Sequence, residues 1–382
     1  MHYIATDFYK DFKCIADSCP NTCCAGGWGI IIDELTYKKM IEKESQLGVP
    51  AKEWLIKRED YILAKQINKR CSMLNDNNLC NVVLKLGPEY LSDTCVTYPR
   101  GFHQYGSVIE VYLSMSCPAV VSTLMEKESI YFDFAENETP TSPYPYAELY
   151  LFESAVRTSI IDILQSNANV TLGTRLYASF NILDKAIHLY QTNQLDSDIF
   201  KANIDIYFQE NTLLSLDTQL HNIVNEANRF AFIQQLQTII LESAYDDHTI
   251  QLATQTYNYF QHNNLEEYLS DIALFRTSIQ KYNNFYTNYW VYHIFSDILE
   301  IPEYELTKEK LLYIALKFCC IQFIALASFS QNKNLDYNEY IYIISCISRI
   351  MEHNESFRKR LLAKLHENDL VSVAGLLLMT LV

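Results

Sequence analysis

From position 147 onward the apolar residues of the chain recur at helical spacing. Leu149, Phe152, Val156, Ile160, Ile163 and Leu164 form one stripe, and Leu176, Phe180, Ile182, Leu183, Ile187 and Tyr190 form another. Leu269, Ile272, Ala273, Phe275 and Ile279 continue the period, as do Leu311, Leu312, Ile314, Ala315, Phe318 and Ile321. No β-rich stretch interrupts them and no fixed-period repeat organises them. The pattern predicts a helical bundle whose core is rich in tyrosine and phenylalanine.

Before position 139 the elements are short and mixed. Trp28 to Ile32 predicts a brief strand, after which Asp33 caps a helix carrying Tyr37, Met40, Ile41 and Glu44 on one face. Asn81 to Leu86 is compact and apolar, and Gly87-Pro88 ends it. In VIEVYLSM, from Val108 to Met115, Ile109, Val111, Leu113 and Met115 alternate with Val108, Glu110, Tyr112 and Ser114. With Gly106-Ser107 ahead of it, that alternation predicts the second strand of a hairpin. Thr139 to Tyr146 reads TPTSPYPY, a stretch that neither continues a helix nor sits inside a sheet. The predicted fold is therefore mainly α: a small cysteine-rich, metal-binding α+β domain over 1–138, a proline-rich linker over 139–146, and an all-helical domain over 147–382.

Composition narrows the function classes. A chain of 382 residues with average usage would carry about 27 glycines, whereas this one has nine, and no G-x-G-x-x-G occurs. Backbone phosphate cradles are correspondingly scarce. A net charge of −16 argues against nucleic acid and the anionic membrane surface as partners and tolerates cationic ones. Met1 to Lys13 lacks the apolar core of a secretory signal, and the apolar run from Leu376 to Val382 is too short to span a bilayer. The expected location is cytoplasmic, where thiols stay reduced.

That expectation changes how the cysteines are read. Eight of the eleven lie at or before position 117, in two groups: Cys14, Cys19, Cys23 and Cys24, then Cys71, Cys80, Cys95 and Cys117. They are flanked by Pro, Gly, Asp and Asn rather than by apolar runs, so the set points to metal ligation more than to a buried core or a disulfide framework. Structural zinc and an iron–sulfur cluster both suit a thiolate donor set. The spacings match neither the C-x2-C pairs of zinc ribbons nor the ferredoxin pattern, and a C-x3-C-x2-C run is absent. Adjacent cysteines do not readily bridge each other, so Cys23 and Cys24 are expected to face different partners. Gly26, Gly27 and Gly29 would let the chain wrap tightly after them. Cys319, Cys320 and Cys346 lie in apolar helical segments and fit the core.

The segment FKCIADSCPNTCCAGGWGIIID (Phe12 to Asp33), then Thr36-Tyr37, Leu79-Cys80, Leu86-Gly87, LSDTCVTYPR (Leu91 to Arg100) and LSMSCP (Leu113 to Pro118), resembles the flagellin lysine-N-methylase family in order and separation. These blocks cover about the first third of the chain, and they resemble more loosely a wider group of bacterial zinc- or iron-chelating cysteine domains. One departure is visible: Cys71-Ser72-Met73-Leu74 stands where the family usually has Cys-Pro-Phe-Leu, which leaves the thiol but changes the local turn.

The resemblance implies a lysine N-methyltransferase that moves a methyl group from S-adenosylmethionine, as co-substrate, to lysine side chains of flagellin, its protein substrate. It also implies a 4Fe-4S cluster associated with the cysteines, zinc being the alternative. Methyl transfer needs the lysine neutral and in line with the departing sulfur. Two polar residues beside a predicted ligand are candidates for that task. Arg100 is placed to pair with the carboxylate of the methionine moiety, and Tyr98 to accept a proton through water. The competing reading packs Tyr98 and leaves Arg100 solvated or ion-paired. His103 and Glu110 are further candidates, and Trp28 reads as an anchor of the cysteine region rather than as an adenine platform. A non-enzymatic zinc- or iron-binding scaffold is the alternative function, and thiol redox chemistry a third. The active cleft is expected between the cysteine-rich and helical parts, with the acidic charge drawing in a cationic side chain. Oligomeric state is left open by the sequence.

Overall fold

A computed structural model describes residues 2–136, 145–223, 226–244, 247–297 and 301–368. Within them helix makes up 66% and strand 10%, so the protein is mainly α, as the apolar periodicity requires. The proline-rich stretch lies outside the described residues except for Pro145 and Tyr146, and so does the C-terminal apolar run.

Nine strands occur among the described residues: β1 (His2–Thr6), β2 (Ile31–Ile32), β3 (Leu55–Lys57), β4 (Ile62–Ala64), β5 (Gln66–Ile67), β6 (Arg70–Cys71), β7 (Arg100–Tyr105), β8 (Val108–Leu113) and β9 (Phe132–Glu136). They form a four-stranded sheet in the order β7-β8-β1-β9, a three-stranded sheet β2-β4-β3, and the hairpin β5-β6. β7 and β8 are the hairpin that the alternation predicts, with Arg100 opposite Leu113 and Tyr105 opposite Val108. β1 joins β8 in parallel and β9 antiparallel.

Short helices fill the space between strands: α1 (Glu34–Glu42), α2 (Glu44–Leu47), α3 (Ala51–Trp54), α4 (Asn81–Lys85) and α5 (Asp93–Thr97). Asp33 caps α1 as expected, its carboxylate accepting from the Thr36 amide at 2.8 Å. Gly87, at φ +107°, turns the chain after α4. With β2, β3 and β4 these helices enclose a small core around Trp54, Met40, Leu47, Ile62 and Met73, against which Cys24, Cys80 and Cys95 pack.

The larger core combines the four-stranded sheet with α6 (Pro118–Glu126) and the long helices. These are α7 (Ala147–Leu164), α8 (Leu172–Gln191), α9 (Ser197–Ile204), α10 (Glu210–Ile223), α11 (Glu226–Ser243), α12 (Asp247–His262), α13 (Leu265–Ile279), α14 (Asn283–Ser296), α15 (Tyr304–Asn332), α16 (Tyr337–His353) and α17 (Glu355–Glu367). The predicted stripes of α7, α8 and α15 face inward. That of α13 does so only through Ile272, Phe275 and Ile279, while Leu269 and Ala273 lie on the outside. Within α15, Leu306–Asn332 is long and apolar enough to cross a membrane, yet its apolar 18-residue window is 94% buried by the other elements, the signature of a central core helix.

β8 departs from a simple inside–outside alternation. Glu110 is fully buried, and Arg157 of α7 grips both of its carboxylate oxygens, one at 2.7 Å, while Tyr150 donates to it at 2.8 Å. Glu110 therefore locks sheet to bundle and stands away from the cleft described below.

Candidate functional site

The cysteines lie in two neighbourhoods that meet at Cys23-Cys24. Cys24, Cys71, Cys80 and Cys95 gather against the small core, where each thiol feels the negative charge its neighbours would carry. Burial first, and those neighbours next, push the Cys71 and Cys95 thiols up to about 11. The Cys24 thiol is raised further, first by its hydrogen bond with the Cys23 thiol and then by burial. Cys14, Cys19 and Cys117 form the other neighbourhood, with Cys117 pushed up to about 11 chiefly by burial.

The turn between β5 and β6 is tied to the segment after Cys24 by Gly27, whose amide donates to the Lys69 carbonyl at 3.1 Å. Its φ of +76° is the left-handed conformation anticipated for this segment; Gly26 and Gly29 do not share it. Trp28 donates its indole N–H to the Cys23 carbonyl at 2.6 Å and packs against Tyr98, so it anchors the cysteine segment. Arg349 of α16 clamps that segment from the far side through the Asn21 side chain at 2.8 Å and the Asn21 carbonyl at 2.7 Å.

As a donor set, four partly buried thiols suit zinc or an iron–sulfur cluster, and a cation among them would relieve the repulsion that raises their pKa. Among the described residues, no three Cys, His, Asp or Glu side chains converge as a metal-holding group. The donor chemistry fits either centre.

Beyond α5 the chain runs through Tyr98 and a cis Tyr98–Pro99 peptide into β7. Here a cleft of about 410 Å³ opens between the cysteine-bearing part and the bundle, a size that suits a small molecule or side chain. Tyr98, Arg100, Tyr112 and Ser114 line one side. His293 and Asp297 from the end of α14, Lys310, Tyr313 and Lys317 from α15, Glu352 and His353 from α16, and Arg358 from α17 line the other.

Its polar groups form a continuous network. Tyr98 and Ser116 hydroxyls are 3.0 Å apart, and Ser116 also meets Ser114 at 2.6 Å and His353 Nε2 at 3.1 Å. Ser114 donates to Glu352 at 2.7 Å, and Lys317 Nζ holds the other Glu352 oxygen at 2.8 Å. Burial alone would raise the Glu352 carboxyl; the charges of Lys317 and His293 and the bonds from Lys317 and Ser114 outweigh it, holding the carboxyl below its usual range. Burial pushes the Tyr98 hydroxyl upward, so it reaches the cleft as a neutral phenol.

On the opposite wall His293 Nδ1 lies 3.0 Å from Asp297 Oδ2. The histidine is 2% exposed, and among the described residues its Nε2 has no hydrogen-bond partner. Burial and then the Lys317 charge lower its pKa, against the pull of Asp297 and Glu352. The Asp297 carboxyl, which burial would raise, is held below its usual range by the His293 bond and by the charges of His293, Lys317 and Lys310.

Of the sequence candidates, Tyr98 and Arg100 both border the cleft, although the Arg100 guanidinium stacks over Phe12 at 5.1 Å. His103 stands behind the wall, donating Nε2–H to the Ser296 carbonyl at 2.7 Å. His293, Asp297, Lys317, Glu352 and His353 were not singled out from the sequence. A lone histidine in the aromatic run NYWVYHIFSD with Asp four residues on, and a lone lysine in IALKFCC, are the signals that pick out buried polar groups in need of partners.

The model of the FliB lysine N-methylase C-terminal domain matches residues 157–379, more than half of the sequence and all of the helical wall of the cleft. The flagellar biosynthetic protein FliU of Salmonella muenchen is 31% identical over 131 residues, which span 31% of this chain and 73% of FliU. A lysine-N-methylase of Salmonella choleraesuis (strain SC-B67) is 22% identical over 380 residues, 92% of either chain, and that of Salmonella typhimurium (strain LT2) is 30% identical over 131 residues, 31% of either chain. No solved structure matches. With the cysteine blocks at its start and the family domain across its helical part, the chain belongs to the FliB lysine N-methylase family.

Proposed function

We propose that the protein transfers a methyl group from S-adenosylmethionine to lysine ε-amines of flagellin, and that the transfer takes place in the cleft between the cysteine-bearing part and the bundle. The observation that carries this reading is the mixed-charge, tyrosine-lined cleft, whose helical wall falls within the lysine N-methylase domain match. Relatives named for lysine N-methylation and flagellar biosynthesis support the acceptor. Such a protein acts in the cytoplasm on newly made flagellin.

The reaction is a displacement. The amine lone pair forms the N–C bond as the S–C bond breaks, the electron pair stays on sulfur, and S-adenosylhomocysteine leaves. Tyr98, Tyr112 and Tyr313 would exclude water and orient the amine, and Arg100 would pair with the co-substrate carboxylate at the rim. Cys24, Cys71, Cys80 and Cys95 would hold an iron–sulfur cluster, or zinc, with Cys14, Cys19, Cys23 and Cys117 beside them; the centre would fix the α5–β7 segment from which Tyr98 and Arg100 project. The division into 1–138, the linker 139–146 and 147–382 belongs to this proposal.

The test is incubation of anaerobically purified protein with flagellin and methyl-labelled S-adenosylmethionine. Label on lysine is expected. Arg100→Ala should lower transfer with metal content and melting temperature nearly unchanged, whereas Cys95→Ser should lower all three. A metal-loaded protein that neither binds S-adenosylmethionine nor labels flagellin would instead be a non-enzymatic scaffold.

A further inference from the structure

Methylation of lysine has a proton to dispose of, and the cleft must contain a group to take it. The ammonium has no lone pair, and each transfer yields a cation again, so every cycle needs a proton acceptor of suitable pKa within reach of the amine. Among the described cleft residues the choice is narrow. Glu352 is committed to Lys317 and Ser114 and is held acidic. Tyr98 stays protonated. His353 has its Nε2 engaged by Ser116.

We infer that His293 is the catalytic base of the proposed transfer, accepting the lysine proton at Nε2, and that Asp297 is its positioning residue. This rests on the lysine-methyltransfer reading above. The Asp297 carboxylate can only accept, so the 3.0 Å contact fixes the proton of neutral His293 on Nδ1 and leaves the Nε2 lone pair free to accept. The pair sits at i and i+4 at the C-terminal end of α14, and the ring is wedged between Tyr289 at 4.6 Å and Tyr292 at 4.9 Å, which fixes its plane. A buried, unpartnered nitrogen on the wall of a cleft is otherwise a cost without return.

The charged and titratable groups around the ring are Asp297 at the end of its own helix, Lys317 and Lys310 on α15, Glu352 on α16 and Tyr112 on β8. Burial and the Lys317 charge outweigh the pull of Asp297 and Glu352 and hold the imidazole below its ordinary pKa, so it is neutral at neutral pH and ready to accept. In the step, the N–H bond of the lysine ammonium breaks and its proton bonds to Nε2. The resulting imidazolium pairs with Asp297, and the freed lone pair attacks the sulfonium methyl. The proton then passes to water.

His293→Gln should lower kcat at pH 7 by about 10²- to 10⁴-fold, with KM for S-adenosylmethionine changed less than threefold. Its deficit should shrink as pH approaches 10, where free lysine loses its own proton. Asp297→Asn should lower kcat comparably by favouring the opposite tautomer, although the imidazole remains. Nitrogen-15 spectra of the wild-type protein should show His293 protonated at Nδ1. A His293→Gln enzyme within threefold of wild type with an unchanged pH profile overturns the inference. If that variant does not fold, an Nε2-protonated His293 in the wild type, or full activity of Asp297→Asn, overturns it equally. Failure of the wild-type protein to label lysine at all would overturn the underlying methyltransfer reading instead, a different result from an active enzyme indifferent to His293.

Discussion

The joint between sheet and bundle offers the sharpest test of the fold. Glu110 is fully buried on β8, and its carboxylate is held by both arginine nitrogens of Arg157 and by the Tyr150 hydroxyl. Arg157→Leu fills most of the volume and removes the charge, leaving Tyr150 as the one hydrogen bond to a buried carboxylate. Breaking a buried pair from one side costs about 3–5 kcal/mol, because the remaining charge is neither solvated nor matched. A second route gives a similar figure. A carboxylate can escape burial by taking a proton, and for a glutamic acid titrating near 4.3 in water that costs about 3.7 kcal/mol at pH 7.

The two routes make one distinctive forecast. If the orphaned carboxyl is protonated in the folded variant and ionised in the unfolded chain, the folded state binds the extra proton, and stability falls as pH rises, by about 1.4 kcal/mol per unit. Urea unfolding followed by circular dichroism should therefore find Arg157→Leu about 3–4 kcal/mol below wild type at pH 7, and closer to it at pH 5.5. The double variant Glu110→Leu with Arg157→Leu should recover to within about 1 kcal/mol of wild type. A loss under about 1 kcal/mol for the single variant, or a deficit that does not narrow on acidification, would refute the reasoning.

Two further outcomes are expected. Glu226 is gripped by Arg229, Arg276 and the Tyr268 hydroxyl, which outweigh burial and hold its carboxyl below the ordinary 4.5. A depressed folded-state pKa contributes stability that is present above about 4.5 and is lost as pH falls through the lower value, so Glu226→Gln should lower the melting temperature at pH 7 and flatten its decline in acid. Iodoacetamide at pH 8 should modify exposed Cys14 in the native protein and reach Cys319 and Cys320 only on unfolding, since these are 0% and 6% exposed and burial pushes Cys320 up to about 12. Peptide mapping that finds Cys319 modified in folded protein would take α15 out of the core.

The helical part was legible because burial on one side imposes a period, and α7, α8 and α15 keep theirs over many turns. The four-stranded sheet was only half legible. Its hairpin is local, with β7 and β8 joined by Gly106-Ser107, so alternation and turn residues announce it. β1 and β9 pair with strands about a hundred residues away, and HYIAT and FDFAE carry no signal of their own strong enough to call for a partner. In the cysteine region, adjacency predicts different partners for Cys23 and Cys24, whereas the Cys24 thiol is hydrogen-bonded with the Cys23 thiol. Which distant thiol joined which depended on how β2 to β6 fold the segment between, something spacing does not encode.

The cleft was hidden for a related reason, and its composition revises the role given to charge. His293 and Lys317 sit in apolar stretches of their helices, where periodicity assigns them to the core; only three helices crossing bring them to one wall with Glu352. There the carboxylates of Asp297 and Glu352 face Lys310, Lys317 and Arg358, with Arg100 at the rim, so the net charge of −16 is not concentrated where the chemistry is proposed. A lysine ammonium entering such a place meets desolvation and like charge, both of which favour its neutral form. The same two influences keep His293 neutral. An acidic funnel would bind lysine tightly and leave it protonated. A cleft that balances its charges gives up affinity for the cation and lowers the pKa gap across which the proton must move, which is the direction methyl transfer requires.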